Sequence, residues 1–156
     1  LHRTLMELER QQVNGITAEM MEQKIYNLQK AIVKMPQYQP VTRHTFFGGM
    51  YCREVFREAG VCIVGRVHKK EHFYYIVAGT VTITTDDGVQ TITGPHLLCS
   101  RPGTKRAVFA ETNALCMTIH KTDAQTPDEA EQELVEYDAD CMYTADNTVK
   151  DKLIED

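Results

Sequence analysis

Residues 60–79 read GVCIVGRVHKKEHFYYIVAG. Two runs rich in β-branched and aromatic residues, Val61–His68 and Phe73–Ala78, flank the charged triplet Lys69-Lys70-Glu71, and Gly60 and Gly79 close the stretch at its ends. Runs of this kind suit the pleated, half-buried surface of a sheet, whereas a charged triplet between them belongs in solvent. The stretch therefore predicts a strand, a solvated loop and a second strand. It places Arg66 and His68 at the end of the first strand and His72 beside the start of the second.

The same texture extends in both directions. Val41–Phe47, Met50–Glu58, Thr80–Thr85, Val89–Thr93, His96–Ser100, Ala107–Ala110 and Ala114–Lys121 are further short β-rich runs. Turn signals separate them: Gly48-Gly49, Ala59-Gly60, Asp86-Asp87-Gly88, Gly94-Pro95 and Pro102-Gly103. Asp87-Gly88 between Thr-rich runs is a hairpin signal, because glycine and its neighbour supply the left-handed backbone of a tight turn. So many closely spaced short strands predict a closed barrel or jelly roll, in which sheet edges are protected.

Helical signals flank the β region. Leu1, Leu5 and Leu8 recur at helical spacing through Gln12, and Asn14-Gly15 stops that run. Thr17 is an N-cap candidate, with Glu19 and Glu22 in the first turn. Met21, Ile25, Leu28 and Ile32 then build one apolar stripe, which Pro36 ends. A stripe of so few turns predicts packing on the parent domain or a contact between subunits rather than a long coiled coil. Downstream, Thr126, Pro127 and Glu129 form a capping box that starts a helix running to about Glu136. The acidic remainder, 137–156, reads as a docked arm with a short last helix or as a tail. The expected organisation is thus a helical arm over 1–36, a barrel over 37–122, and a C-terminal helix with an acidic tail over 123–156.

Composition narrows the function. The 156 residues suffice for one core, and the formal charge of −5 opposes a general nucleic-acid binder, which needs a basic face for phosphates. No apolar run approaches the length that crosses a bilayer. Five cysteines, Cys52, Cys62, Cys99, Cys116 and Cys141, are scattered without C-x-x-C or zinc-finger spacing. They read as reduced thiols buried as small hydrophobes.

The 60–79 stretch resembles the first motif of the cupin superfamily, a glycine, five residues, His-x-His, three residues, Glu, six residues and a glycine. Gly60, Arg66, His68, His72 and Gly79 fill those positions with the spacing kept. GPHLLCSRPGTKRAVFA, residues 94–110, resembles the second motif, with Gly103 at the glycine, Arg106 at the histidine and Ala110 at the asparagine position, and Pro102 one residue late. The likeness covers roughly Met50 to Lys121. It implies a mainly β cupin double-stranded β-helix, a jelly-roll barrel with N-terminal helices and a C-terminal helix. A narrower likeness, through MPQYQPVTRHTFFGGMYCRE (35–54), GRVHKKEHF (65–73), PGTKRAVFA (102–110) and a strand ending at His120, is to small cupin-like proteins of tailed bacteriophages and prophages.

The resemblance places a ligand centre in the barrel mouth, where the corresponding set here is Arg66, His68, His72 and Arg106. A cupin commonly holds a divalent ion with three histidines and a carboxylate. Two of the four are guanidinium groups, which stay protonated and cannot coordinate a cation. Repulsion of about 4 kcal/mol per charge pair at ~4 Å and intermediate dielectric would oppose an ion beside them. The expectation is an impaired metal site, with no cofactor and no catalytic residue. Arg66 and Arg106, with Lys105 beside them, would instead form a cationic pocket for a small anion or a partner's acidic side chain. A blander role for Arg106 is a bond to Glu54 or Glu111 that ties strands together.

The leading expectation is therefore a non-enzymatic, phage-type structural or accessory protein of the virion or host cytoplasm. It would assemble as a homo-oligomer or with other phage proteins through its helical arms, and would touch neither nucleic acid nor membrane. The alternative is a metal-dependent enzyme of the dioxygenase, isomerase or lyase class. It would bind iron, manganese, nickel or zinc through His68 and His72, completed by His44 or His120.

Overall fold

A computed structural model describes residues 18–150. Two helices and nine strands follow in the order α1 (Ala18–Ile32), β1 (Val41–Phe47), β2 (Met50–Arg57), β3 (Cys62–Val64), β4 (His72–Ala78), β5 (Thr80–Thr85), β6 (Gly88–Thr93), β7 (His96–Ser100), β8 (Ala107–Ala110), β9 (Ala114–Lys121) and α2 (Pro127–Leu134). The strands form two antiparallel sheets, one ordered β1-β2-β9-β4-β7 and the other β3-β8-β5-β6. β9 crosses back to lie between β2 and β4, and β8 between β3 and β5. This is the jelly-roll interleaving of the double-stranded β-helix, and the expected fold class holds.

Alternation along the strands makes the core. Tyr74 and Ile76 of β4 and Ala114 and Cys116 of β9 face inward from the first sheet. They meet Val81 and Ile83 of β5 and Val108 and Ala110 of β8 from the second. Ile76, Val81 and Ile83 are wholly buried, each such side chain contributing about 1.5–3 kcal/mol relative to exposure. Gly79 joins β4 to β5 at φ +92, and a Cβ there would lie 2.3 Å from the carbonyl oxygen of Asn113. Both the turn and the close approach require glycine.

The apolar stripe of α1 lies on its own barrel. Met21, Ile25 and Leu28 are buried against Cys62, Val64, Val89, Ala107 and Phe109, so this face is not open to a second subunit. The helix expected over Leu1–Gln12, and Thr17 as a cap, lie outside the described residues.

Most boundaries agree within a residue; β3 and α2 end earlier than expected, in each case because backbone bonds to a neighbour win over local pattern. The strand expected over Val61–His68 stops its ladder at Val64. Beyond it, Gly65 N–H bonds the Arg106 carbonyl and His68 N–H the Thr104 carbonyl, both at 2.9 Å, and His68 forms an isolated bridge with Val135. α2 ends at Leu134 rather than Glu136, because Val135 is extended (φ −130, ψ 152) and Glu136 N–H donates to the Val67 carbonyl at 2.9 Å. Residues 137–150 hold no helix. They dock as an irregular arm, with Tyr143 Oη donating to the Tyr38 carbonyl at 2.7 Å and Asn147 Nδ2 to Thr42 Oγ1 at 2.7 Å.

All five cysteines are free. Cys62, Cys116 and Cys141 are buried as expected, whereas Cys52 is half-buried and Cys99 exposed. Cys99 lies on the outward side of β7, beside the inward Ser100.

Candidate metal centre

Register brings the chemistry together. Tyr51 pairs with His120 and Arg53 with Thr118 across β2 and β9, while Tyr74 pairs with Thr118 across β9 and β4. With a side-chain period of two, these residues share the inner face. His72 precedes Tyr74 by two and pairs with Ser100 of β7, so His72 and His120 occupy the same layer. His68 reaches that layer from the extended segment after β3, where its N–H donates to the Thr104 carbonyl and its carbonyl accepts from Gly103 N–H at 2.8 Å.

The result is a cluster of three imidazoles. Ring centroids lie 4.2 Å apart for His68 and His72, 5.0 Å for His68 and His120, and 4.4 Å for His72 and His120. One ligand atom from each lies within 4.8 Å of the other two. His68 Nδ1 and His120 Nε2 are 3.0 Å apart. Two imidazoles on one ion at ~2.0–2.1 Å have their nitrogens about 2.9 Å apart at a right angle and about 3.4 Å at the tetrahedral angle. The observed separation falls between them. His72 Nδ1 donates to the Lys70 carbonyl at 3.0 Å, which fixes that ring's proton and leaves Nε2 as its lone-pair donor, the arrangement that orients a ligating histidine.

The rings are held neutral. Burial is the largest cause in each case, because it disfavours the charged form. It pushes His68 well below its ordinary value and His120 down to about 3, with the neighbouring imidazoles and the Arg53 guanidinium adding to the effect. His72 is lowered by burial too; its bond to the Lys70 carbonyl opposes the shift and Arg106 reinforces it. A metal ligand must be a neutral imidazole, and this triad meets that condition at neutral pH. His68, His72 and His120 fit a divalent transition metal.

The other residues singled out from the sequence are placed as follows. Arg66 does not project a free charge at the triad: its Nη1 pairs with Glu131 at 2.8 Å and its Nε donates to the Glu136 carbonyl at 2.8 Å. Arg106 is buried in the wall, donating to the Thr84 carbonyl at 2.6 Å and to Ser100 Oγ at 2.5 Å, with its guanidinium 5.4 Å from the Tyr74 ring centroid. Neither Glu54 nor Glu111 ties it; Glu54 forms a two-bond pair with Arg43. Lys105 is committed to Asp138 at 2.9 Å and the Gly65 carbonyl at 2.9 Å. His44 stands apart from the triad, its Nδ1 2.6 Å from Tyr51 Oη and its Nε2 3.1 Å from the Asp146 carbonyl. Of the four residues expected to converge, His68 and His72 meet, with His120 of β9 as a third imidazole; Arg106 lies close by, bound to Ser100, the β7 partner of His72, and Arg66 is turned to Glu131.

Sequence reasoning missed Arg53. It lies one layer below His120 on the inner face of β2, and with His68, His120, Tyr51 and Thr118 it lines a cavity of about 120 Å³. The far wall is apolar, from Ile63 and Val64 of β3 to Ala130 and Leu134 of α2. The available signal was alternation: Tyr51, Arg53, Val55 and Arg57 share one face of β2, and two arginines at inward positions of a strand require a reason.

No family model matches the chain, and no curated protein does. Among solved structures it is similar to a cupin superfamily protein from Desulfitobacterium hafniense (14% identity, TM-score 0.47, covering 60% of this chain and 86% of that one). It is also similar to a cupin-2 domain protein from Shewanella frigidimarina (16%, TM-score 0.44, 65% and 98%), and to an acetylacetone dioxygenase from Acinetobacter johnsonii (11%, TM-score 0.45, 56% and 65%). These are likenesses of fold at low identity, and activity does not follow from fold. None of the three connects the chain with a bacteriophage. The class is defined by what the chain itself presents, a cupin-type barrel with a three-histidine cluster able to hold a metal. Among the described residues no helix is long and apolar enough to cross a membrane.

Proposed function

We propose that the chain is a metal-dependent enzyme in which His68, His72 and His120 hold one divalent transition-metal ion beside a small substrate cavity. The observation that carries this reading is the convergence of three neutral imidazoles, with one pair of ligand nitrogens already at 3.0 Å. Three imidazoles suit iron, manganese, nickel or zinc and leave coordination positions for a substrate oxygen, which a bound ion would polarise as a Lewis acid.

The chain's own residues supply the rest. The Lys70 carbonyl holds the His72 proton at Nδ1. Ala130 and Leu134 of α2 are buried over the cavity and keep water from one side of it, and the Arg66–Glu131 pair joins α2 to the segment that carries His68. The non-enzymatic, phage-type reading is supported by the sequence likeness and by the arginines at two motif positions. The triad favours the enzyme, because His120 adds a third imidazole to the two that the arginines leave at the motif positions.

Elemental analysis of protein purified without a chelating column tests the proposal. Stoichiometric iron, manganese, nickel or zinc is expected, and its loss from a His68→Ala/His72→Ala variant that keeps the far-UV circular dichroism of the wild type. Metal-free protein that takes up none of these ions on dialysis, or a double variant that retains its metal, overturns it.

A further inference from the structure

Three guanidinium groups on the inner side of the barrel differ in how they are satisfied; Arg53 lies level with Thr118, near the histidines, and Arg57 level with Ala114. Arg106 has two strong acceptors in the wall. Arg53 and Arg57, two apart on β2, form no ion pair with any carboxylate among the described residues. Burial is the largest influence on both, and the neighbouring groups that follow it are Tyr51, Arg57, Cys141 and Tyr74 for Arg53 and Tyr74, Cys116, Cys62 and Tyr143 for Arg57. None is an acid. A guanidinium cannot shed its charge to escape burial, and an uncompensated buried cation costs several kcal/mol in a protein interior. Arg57 has almost no accessible surface. Arg53 is enclosed by protein yet remains only half-buried, and it lines the cavity beside His68 and His120.

We infer that this cavity is a binding site for a small organic carboxylate, with Arg53 as the residue that pairs with the carboxylate group. The occupant is argued from the lining. A planar guanidinium fork matches the two oxygens of a carboxylate. Glu131, the acid on the cavity wall, is already neutralised by Arg66, so it does not compete for Arg53. Ile63, Val64, Leu134 and Val135 offer apolar surface to a carbon skeleton, which inorganic phosphate lacks. A cavity of about 120 Å³ suits a small molecule better than a nucleotide, whose sites run to several hundred Å³. The inference deepens the enzyme reading by naming its substrate class, and rests on that reading only for the step after binding.

Isothermal titration with pyruvate, malonate and inorganic phosphate, on metal-free and metal-loaded protein, tests it. Metal-free wild type is expected to bind pyruvate or malonate at least about tenfold more tightly than phosphate. Arg53→Met should weaken that binding by about tenfold or more, with metal content unchanged. The variant keeps the side chain's bulk and strands no protein partner, so it is expected to fold. Arg53→Lys keeps the charge without the fork and should fall between. Equal binding of pyruvate and malonate by wild type and Arg53→Met, or phosphate bound as tightly as either, overturns the inference. So does the absence of carboxylate binding at millimolar concentration in both metal states. Carboxylate binding without metal uptake would sink the enzyme proposal and leave this one standing; metal uptake without carboxylate binding does the reverse.

Discussion

The inner face of the first sheet changes character halfway along its strands. At one end β4 and β9 turn Ile76, Ala114 and Cys116 onto Val81, Ile83 and Val108. At the other end the same strands, with the same alternation, present His72, Tyr74, Thr118 and His120, and β2 adds Arg53. The first half keeps closer to the ordinary rule for a core, close-packed apolar side chains, with Arg57 of β2, level with Ala114, as the buried cation among them. The second breaks that rule by gathering imidazoles and cations where burial penalises charge. Folding alone gives no reason for the polar half. The contrast teaches where the proposals stand: one end of the barrel is explained by packing, and the imidazoles and Arg53 at the other are what the proposed metal and carboxylate would account for.

Acidification should separate the two ends most sharply. Each triad histidine has its folded value lowered, so below pH ~6.5 the unfolded chain binds protons that the native one does not. Stability is then fully present above the unfolded value and is lost as pH falls, at up to about 1.4 kcal/mol per pH unit for each histidine. For His120 this loss continues down to about pH 3. Urea midpoints measured from pH 7.5 to 5 should fall steeply in the wild type and less steeply in His120→Gln. Parallel slopes would show that the triad is not the source. At the apolar end Ile76→Ala should cost about 2–5 kcal/mol at any pH in this range, because it opens a cavity in a site with no exposed surface. A pH-dependent cost there would erase the contrast between the two halves.

How much of this was legible in the sequence follows the same division. All nine strands could be read from β-rich runs and turn residues, since alternation and turn chemistry are local. The buried stripe of α1 was equally readable, though the sequence left open whether a barrel or a second subunit would cover it. The site was legible only in part. His68 and His72 stood in a recognisable spacing, but their third partner, His120, lies 48 residues beyond His72 and meets it through the pairing of β4 with β9, a non-local register that no spacing encodes. Arg66 misled for the opposite reason. It occupies a ligand position of the motif, yet after Val64 the backbone leaves the ladder and its side chain turns to Glu131 on α2. Arg53 was readable as an anomaly in β2 and not as a function, because its meaning depends on which acids fail to reach it.

Smaller effects test how the two halves are joined through α2. Thr126 Oγ1 accepts the Glu129 amide at 3.2 Å and caps the helix, so Thr126→Ala should cost about 1 kcal/mol, read from the urea midpoint at pH 7.5. Metal content should not change, since the cap touches none of the three imidazoles. Arg66→Ala should cost less, about 0.5–1 kcal/mol, because Glu131 is a third exposed and screening weakens the pair. Arg66 also donates to the Glu136 carbonyl, so its loss loosens the junction between α2 and the segment carrying His68 more than it lowers global stability. Hydrogen exchange resolves the two. Faster exchange at the Lys69 and Glu136 amides, which bond the Leu134 and Val67 carbonyls, with unchanged protection at Ile83 in β5, would place Arg66 at the seam between the polar end and its cover. Uniform acceleration in both halves would make it an ordinary stabilising pair. An Arg66→Ala protein that fails to take up metal while protection stays intact would return that arginine to the site itself.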